Sequence, residues 1–307
     1  MPRIALVTAQ VAQALDEDLP PLHAALAAAG AEVHAVAWDD ADADWSRFDA
    51  ALLRSTWDYA MRLPEFLAWI AHAAAHTRLL NPPGVVRWNA DKHYLADLAG
   101  AGLPCVPSAF VEPGTSAGAA LAAFLAAEGA GASEFVVKPA VGAGSRDAQR
   151  HARDQRSLAS AHIDRLLRAG RSVLLQPYLD RVDTQGETAL ICFDEVFSHA
   201  IRKGPLLHRD QGPTSRLFAP EDITPRSASA AERALAEQAL AILPRFTGRG
   251  EADARPLPYA RVDLIQAPDG TPRLLELELI EPSIFLDHAP GSADRLARLL
   301  LARLAKD

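Results

Sequence analysis

The sequence predicts an α/β (α+β) protein, with an open α/β unit at its N-terminus and segregated strands and helices beyond it. Three observations carry this. Strand-like and helix-like segments alternate up to about residue 76, the pattern of a mainly parallel sheet. Asn81-Pro82-Pro83-Gly84 then breaks the alternation, as such clusters do at boundaries. Near the C-terminus, Asp269-Gly270 separates two β-prone runs, a strong hairpin signal.

The elements follow in order. Residues 3–9 read as a buried strand, then a polar loop at Asp16-Glu17-Asp18 leads to a helix that begins at Pro20-Pro21 and stops at Gly30, with proline inside the start and glycine past the end. Strands are expected at Glu32–Trp38 and Ala50–Arg54, and a helix at Pro64–His76. Ligands of open α/β units bind beyond strand C-termini. Arg54, Ser55, Thr56, Trp57, Asp58 and Tyr59 are therefore candidate substrate contacts, or else a cap on the core. Asn89 is expected to N-cap a helix holding Lys92, His93 and Tyr94, since Asn accepts from orphan helix amides. A helix near Ala119–Glu128 follows.

Glu134–Pro139 reads as a strand ending in Lys138-Pro139 and opening into Gly142-Ala143-Gly144-Ser145. Such a loop lets backbone N–H groups approach phosphate, with lysine as a point charge. It is neither a Walker A loop nor a dinucleotide fingerprint. A helix at Gln155–Arg168 and a strand at Ser172–Gln176 precede Pro177-Tyr178-Leu179. Strands at Glu187–Phe193 and Val196–Arg202 pair through a turn at Asp194-Glu195. Residues 203–222 read as a long loop bearing Lys203, His208, Arg209 and Arg216; a loop of that length is more often functional than idle. Helices are expected near Ala228–Leu243 and Ala293–Ala305.

With Asp269-Gly270 as a two-residue turn, Asp263 falls opposite Glu276 and Arg261 opposite Glu278. Glu276 and Glu278 then share one strand face, and Leu275, Leu277 and Leu279 the other. Like charges directly opposite one another repel. A hard divalent cation would remove the objection, because Mg²⁺ takes one or two carboxylates plus phosphates; a solvated outer face would remove it too.

The net charge of −8 argues against nucleic acid as a partner. No apolar run reaches membrane-spanning length, and no signal-peptide layout precedes the first strand, so a cytoplasmic protein is expected. Cys105 and Cys192 fit two buried thiols better than a disulfide.

In this order, Lys92, the strand-Lys138-Pro with its glycine loop, Gln176-Pro-Tyr-Leu179, Asp263 and the Glu276/Glu278 pair resemble the ATP-grasp ligases of the glutathione-synthetase-like branch. The resemblance spans nearly the whole chain. More narrowly, Arg54-Ser-Thr-Trp-Asp-Tyr59, Asn89-x-x-Lys92 and Glu276-x-Glu278-x-x-Glu281-Pro282 are similar to the D-cycloserine-forming ligases. The resemblance implies a substrate domain at 1–88 and two subdomains, 89–180 and 181–307, clamping ATP. Lys92 and Lys138 would hold the α- and β-phosphates, and Gly142, Gly144 and Ser145 would form the lid. Gln176, Tyr178 and Leu179 would meet adenine, and Glu187 the ribose. Asp263, Glu276 and Glu278 would hold Mg²⁺, Arg202 and Arg261 would flank the transferring phosphoryl group, and Glu281 would face substrate. Gln176 stands where many relatives carry an acid, and Glu278 where many carry Asn. The implied activity is an ADP-forming carboxylate–amine ligase working through an acyl phosphate. Its partners would be a small-molecule carboxylate and amine; a homodimer is compatible with it. A two-substrate dipeptide-type ligase, a polypeptide-extending ligase and a non-catalytic ATP-binding module are the competing readings.

Overall fold

A computed structural model describes residues 1–127, 133–209, 211–214, 217, 221–248 and 255–305. Four parallel strands, β1 (Arg3–Thr8), β2 (Glu32–Ala37), β3 (Ala50–Ser55) and β4 (Arg78–Leu80), form the N-terminal sheet in the order β2-β1-β3-β4. β3 is buried throughout and β1 almost so, as strands covered on both faces must be. Helices α1 (Leu19–Ala28) and α2 (Leu63–Ala74) cover the sheet, each with proline in its first turn.

α3 (Pro83–Asn89) and α4 (Tyr94–Gly100) follow. Four antiparallel strands, β5 (Ala109–Val111), β6 (Glu134–Pro139), β7 (Gln149–Ala152) and β8 (Val173–Pro177), run in the order β5-β8-β6-β7. α5 (Ala117–Ala127) and α6 (Arg156–Arg168) back this sheet and share its core around Phe124, Phe135 and Ile163. A single helical turn, α7 (Val182–Gln185), leads to the third sheet. Its strands are β9 (Glu187–Phe193), β10 (Val196–Lys203), β11 (Ile223–Arg226), β12 (Tyr259–Gln266) and β13 (Pro272–Glu278), ordered β11-β10-β9-β12-β13. α8 (Ala230–Ala241) starts with a capping box, Ser229 with Glu232, and packs on its outer face. The inner face shares a core with the N-terminal unit, through Ile4, Leu52, Ile191, Tyr259 and Ile284. The last helix, α9 (Ser292–Leu304), completes that core with Leu296 and Leu300. No helix among the described residues is long and apolar enough to cross a membrane, and both cysteines are unpaired.

Several expectations need correction. Asn89 does not N-cap a helix; it ends α3, and Lys92 and His93 lie in the turn before α4. Its amide instead brackets the edge strand β13, donating to Leu277 O at 2.8 Å and accepting from Leu279 N at 2.8 Å. Tyr94 Oη accepts from Leu277 N at 2.9 Å. These side chains satisfy backbone groups that an edge strand leaves open.

The hairpin turn is also longer than two residues. Gln266 pairs with Pro272, and Ala267 N donates to Thr271 O at 2.9 Å. The loop is therefore Pro268-Asp269-Gly270, with Gly270 at φ +84°, a common three-residue hairpin with glycine in the left-handed position. A bulge between Asp263 and Leu264 restores the register, so Asp263 still faces Glu276 and Arg261 faces Glu278. The bulge leaves Leu275 unpaired and turns it away from the core that holds Leu277 and Leu279. The strands β4, β5, β7 and β11 and helix α3 were not anticipated. β7 reads as polar because its buried Arg150 and His151 are satisfied by partners far away in sequence. Glu128 and Arg216 lie outside the described residues.

Candidate active site

A cavity of about 470 Å³ opens between the two antiparallel sheets, and the N-terminal unit closes one end. β12 runs along its floor from Ile265 to Arg261, about 13 Å at strand rise.

At the Ile265 end the wall is apolar. Val106, Val182 and Ile265 are buried against Tyr178, Leu179 and Leu275. The Tyr178 backbone N–H donates to Glu134 O at 2.9 Å, and its ring lies under the Arg150 guanidinium at 3.6 Å. Gln176 is buried, and its side-chain amide donates to Ser108 Oγ at 2.9 Å. This end suits a flat heteroaromatic ring.

Charged groups crowd the middle. Lys92 reaches Glu276 Oε1 at 2.8 Å and donates to Gly142 O at 2.7 Å. Asn89 and Tyr94, by holding β13 on either side of Lys92 in sequence, place that lysine over the strand that carries Glu276. Lys203 lies 3.4 Å from Asp263 and 3.7 Å from Glu187. Arg261 grips Asp263 with two bonds, at 2.9 and 3.0 Å, and also bonds Glu278. Lys138 lines the cavity without an ion-pair or hydrogen-bond partner among the described residues. Above these groups, Gly142, Gly144 and Ser145 turn a loop over the cavity, with Gly144 at φ +60° and Ser145 at φ +58°. A turn that passes into the left-handed region in this way can gather backbone N–H groups around an anion.

Burial and neighbouring charge perturb these groups in opposite directions. Burial pulls the Lys138 ammonium below its usual range. Burial disfavours charge on Lys92 as well, but Glu276 outweighs it and the pKa rises. Against burial, Arg261 and Lys203 hold the Asp263 carboxyl low, and Lys92 and Lys138 do the same for Glu276. Burial pushes Glu278 up to about 7 despite Arg261. Burial and the neighbouring Glu278 push Glu281 up to about 8. Strongly shifted carboxyls in a cleft mark a site built for chemistry.

The three carboxylates do not form a metal cage on their own. Among the described residues no three His, Cys, Asp or Glu groups are gathered to hold a metal ion. Asp263 spends both oxygens on cations. Glu276 and Glu278 each direct one oxygen to Lys92 and Arg261 respectively, and the second oxygen of each has no protein partner among the described residues. Two hard oxygens on one face, completed by phosphate, is a donor set Mg²⁺ accepts. The residues fit the ion.

At the Arg261 end, Trp57, Tyr59 and Glu281 line the cavity. Arg54, Ser55, Thr56 and Asp58 do not. Arg54 is buried and donates to Pro282 O at 3.0 Å; Ser55 bonds Thr8; Asp58 accepts from Trp38 at 2.8 Å. Thr56 is buried off the cavity. Arg54, Ser55 and Asp58 hold the segment while Trp57 and Tyr59 present their rings. Arg202 is likewise absent from the cavity. Alternation along β10 sends it to the other face, where it meets Gln185 O at 3.1 Å and Asp222, and sends Lys203 inward. The strand was expected to end at Arg202, one residue short, which left Lys203 as a charge donor of the loop; continuing the period-2 pattern from Ile201 would have placed it on the inward face. Leu275 was missed because a bulge leaves no sequence signature here, and Ile265 because Asp263 alone drew notice on that face.

The family model for the N-terminal domain of D-cycloserine synthetase DcsG matches residues 4–81. The chain is 44% identical over 301 residues to the cycloserine biosynthesis protein DcsG of Streptomyces lavendulae, covering 98% of each. It superposes on a crystal structure of D-cycloserine synthetase DcsG with a TM-score of 0.92 and 43% identity, over 98% of this chain and 99% of that one. A D-alanine–D-alanine ligase from Bacillus anthracis complexed with ATP shares the fold, at a TM-score of 0.64 and 14% identity, over 100% and 98% of the two chains.

Proposed function

The chain belongs to the D-cycloserine synthetase family of ATP-grasp ligases, and from that premise we propose that it uses ATP to cyclise O-ureido-D-serine towards D-cycloserine. The observation that carries this is one cavity holding Lys92, Lys138, Lys203 and Arg261 beside Asp263, Glu276 and Glu278 under a glycine-rich loop.

A carboxylate is a poor electrophile, so its oxygen first attacks the γ-phosphorus of ATP and ADP leaves. The ureido nitrogen bonded to oxygen then attacks the acyl carbon of the same molecule. A C–N bond forms, the bond to phosphate breaks, and the nitrogen loses its proton. Hydrolytic loss of the carbamoyl group completes the conversion to cycloserine. Proximity within one molecule supplies much of the rate.

The side chains divide this work. Val106, Leu179, Ile265 and Leu275 bury the adenine, with Gln176 and Tyr178 at its edge and Glu187 towards the ribose. Lys92 and Lys138 anchor the α- and β-phosphates. Gly142, Gly144 and Ser145 close over them and exclude water from the acyl phosphate. Lys203 and Arg261 stand beside the transferring group as fixed positive charge; Lys203 takes the role expected of Arg202. Glu276 and Glu278, with Asp263 adjacent, hold Mg²⁺, which when bound neutralises charge on the phosphates. Trp57, Tyr59 and Glu281 face the acid.

The test is ADP release with MgATP and O-ureido-D-serine, with mass analysis of the product. Turnover giving the mass of cycloserine is expected. ADP release only when a separate acid and amine are supplied would overturn cyclisation and leave a two-substrate ligase. Tight ATP binding without turnover on any acid–amine pair would leave a binding module.

A further inference from the structure

Between Glu281 and α9 the chain passes through a segment whose geometry is unusual. Phe285 holds φ +53° and ψ +48°, a left-handed conformation that a bulky residue rarely adopts. Its ring lines the cavity, with the Arg261 guanidinium 5.7 Å from the ring centroid. His288 meets it edge-on at 6.5 Å.

The neighbouring groups over-determine this conformation. The buried Asp18 carboxylate accepts three consecutive backbone bonds, from Ile284 N at 2.6 Å, Phe285 N at 3.1 Å and Leu286 N at 2.7 Å. Arg54 lies 3.5 Å from Asp18 and donates to Pro282 O. Arg261 donates to Ser283 O at 3.1 Å, and His199 meets Ile284 O at 2.8 Å. Ile284 and Leu286 are buried on either side of Phe285, whose ring lines the cavity. Strain held at a ligand-facing position points to a role there.

We propose that Phe285 is the specificity-determining wall of the acid subsite, and that Asp18 is the positioning residue that sets its ring over Arg261. The ring limits that end to a short amino-acid-like acid and excludes longer homologues. This rests on the ligase reading above. It also explains Asp18 within the polar run Asp16-Glu17-Asp18, which no catalytic role absorbs: Asp18 carries the N-terminal unit's grip on the segment that follows the strand bearing Glu276 and Glu278.

Two variants test it in the full chain. Phe285→Gly removes the ring and accepts the same backbone conformation without strain. ADP release should be compared for O-ureido-D-serine and its homologue with one more methylene. The ratio of kcat/KM, longer over shorter, should rise about tenfold or more, the scale of one methylene in a fitted pocket. A ratio within about twofold of the unaltered protein's would overturn the wall. In Asp18→Asn an N–H₂ faces backbone N–H groups. Amide exchange at 284–286 should accelerate there selectively, and KM for the acid should rise more than kcat falls. Unchanged exchange would overturn the positioning role. If the unaltered protein turned over neither acid, the ligase reading would fail, and exchange in Asp18→Asn would still decide the clamp.

Discussion

Two networks of opposite charges, each centred on a buried arginine, Arg150 in one and Arg261 in the other, can be compared within this chain. In the central sheet, Arg150 bonds both oxygens of Glu134, at 2.9 and 2.5 Å, and both of Asp183, at 3.1 and 3.2 Å. Arg209 adds a bond to Glu134 at 2.8 Å, and Tyr178 one to Asp183 at 2.5 Å. Although burial opposes it, these partners hold the Glu134 and Asp183 carboxyls below their ordinary range. The cavity network behaves otherwise: Glu278 rises to about 7, Glu281 to about 8, and Lys138 has its ammonium disfavoured. The first network satisfies itself, whereas the second leaves charge and oxygen unmatched among the described residues, as the proposed binding of phosphates and a metal ion requires. Burial alone does not mark a site; incomplete pairing does.

The largest effect that sharpens this contrast is Glu276→Ala, which removes both the partner of Lys92 and an open oxygen. ADP release should fall about 10³-fold, the upper scale for losing one preorganised electrostatic group. Retention of a tenth of the activity would place the phosphates elsewhere. Next comes a pair of methionine substitutions read by denaturant unfolding. Arg150→Met takes the two-bond partner from the buried Glu134 and should cost up to about 3 kcal/mol, the lower scale for breaking a buried pair, because Arg209 stays. Lys138→Met removes a half-buried cation with no hydrogen-bond or ion-pair partner among the described residues, so it should leave stability equal or higher while turnover collapses, the usual exchange of stability for function. Equal losses from both would erase the distinction between the networks.

Asn89→Ala is a smaller break. It leaves Leu277 O and Leu279 N without their side-chain partner, at about 1–3 kcal/mol, and should raise KM for ATP because Glu276 and Glu278 ride on that strand. A stability loss with KM unchanged would reduce Asn89 to a structural clamp. The smallest effect concerns acid. Burial lowers the His162 pKa to about 4 from the ordinary 6.5, and His151 beside it is lowered too. The unfolded chain then binds more protons between those values, so this contribution to stability is whole above about pH 6.5 and drains away as pH falls towards 4. His162→Phe should flatten the fall in melting temperature across that window; an unchanged slope would assign it to other groups.

Much of the fold and the core of the site were legible because period-2 and helical patterns are local. The Arg261–Glu278 and Asp263–Glu276 pairs were read correctly although the turn was not, since a longer loop and a bulge at Leu275 offset each other. What stayed hidden is non-local. Asn89 has a capping residue's chemistry, and only the folded chain brings β13 to it. Gln149–Ala152 looks like loop until Glu134 and His162 satisfy its polar side chains. Nothing adjacent in sequence links Asp18 to the amides of 284–286. Arg202 and Lys203 differ by one position along a strand, and a one-residue error there exchanges a cavity wall for the opposite face.

Transfer of the γ-phosphoryl group to the substrate carboxylate is the step that Lys92, Lys138, Lys203 and Arg261 are proposed to serve. Supplying O-ureido-D-serine labelled with ¹⁸O in its carboxylate, and measuring the mass of the released phosphate, tests it most directly. An acyl phosphate gives phosphate carrying one labelled oxygen, because the carboxylate oxygen that bonds phosphorus departs with it. Phosphate free of label during turnover would contradict the account, since ATP would then have been cleaved without the acid as acceptor.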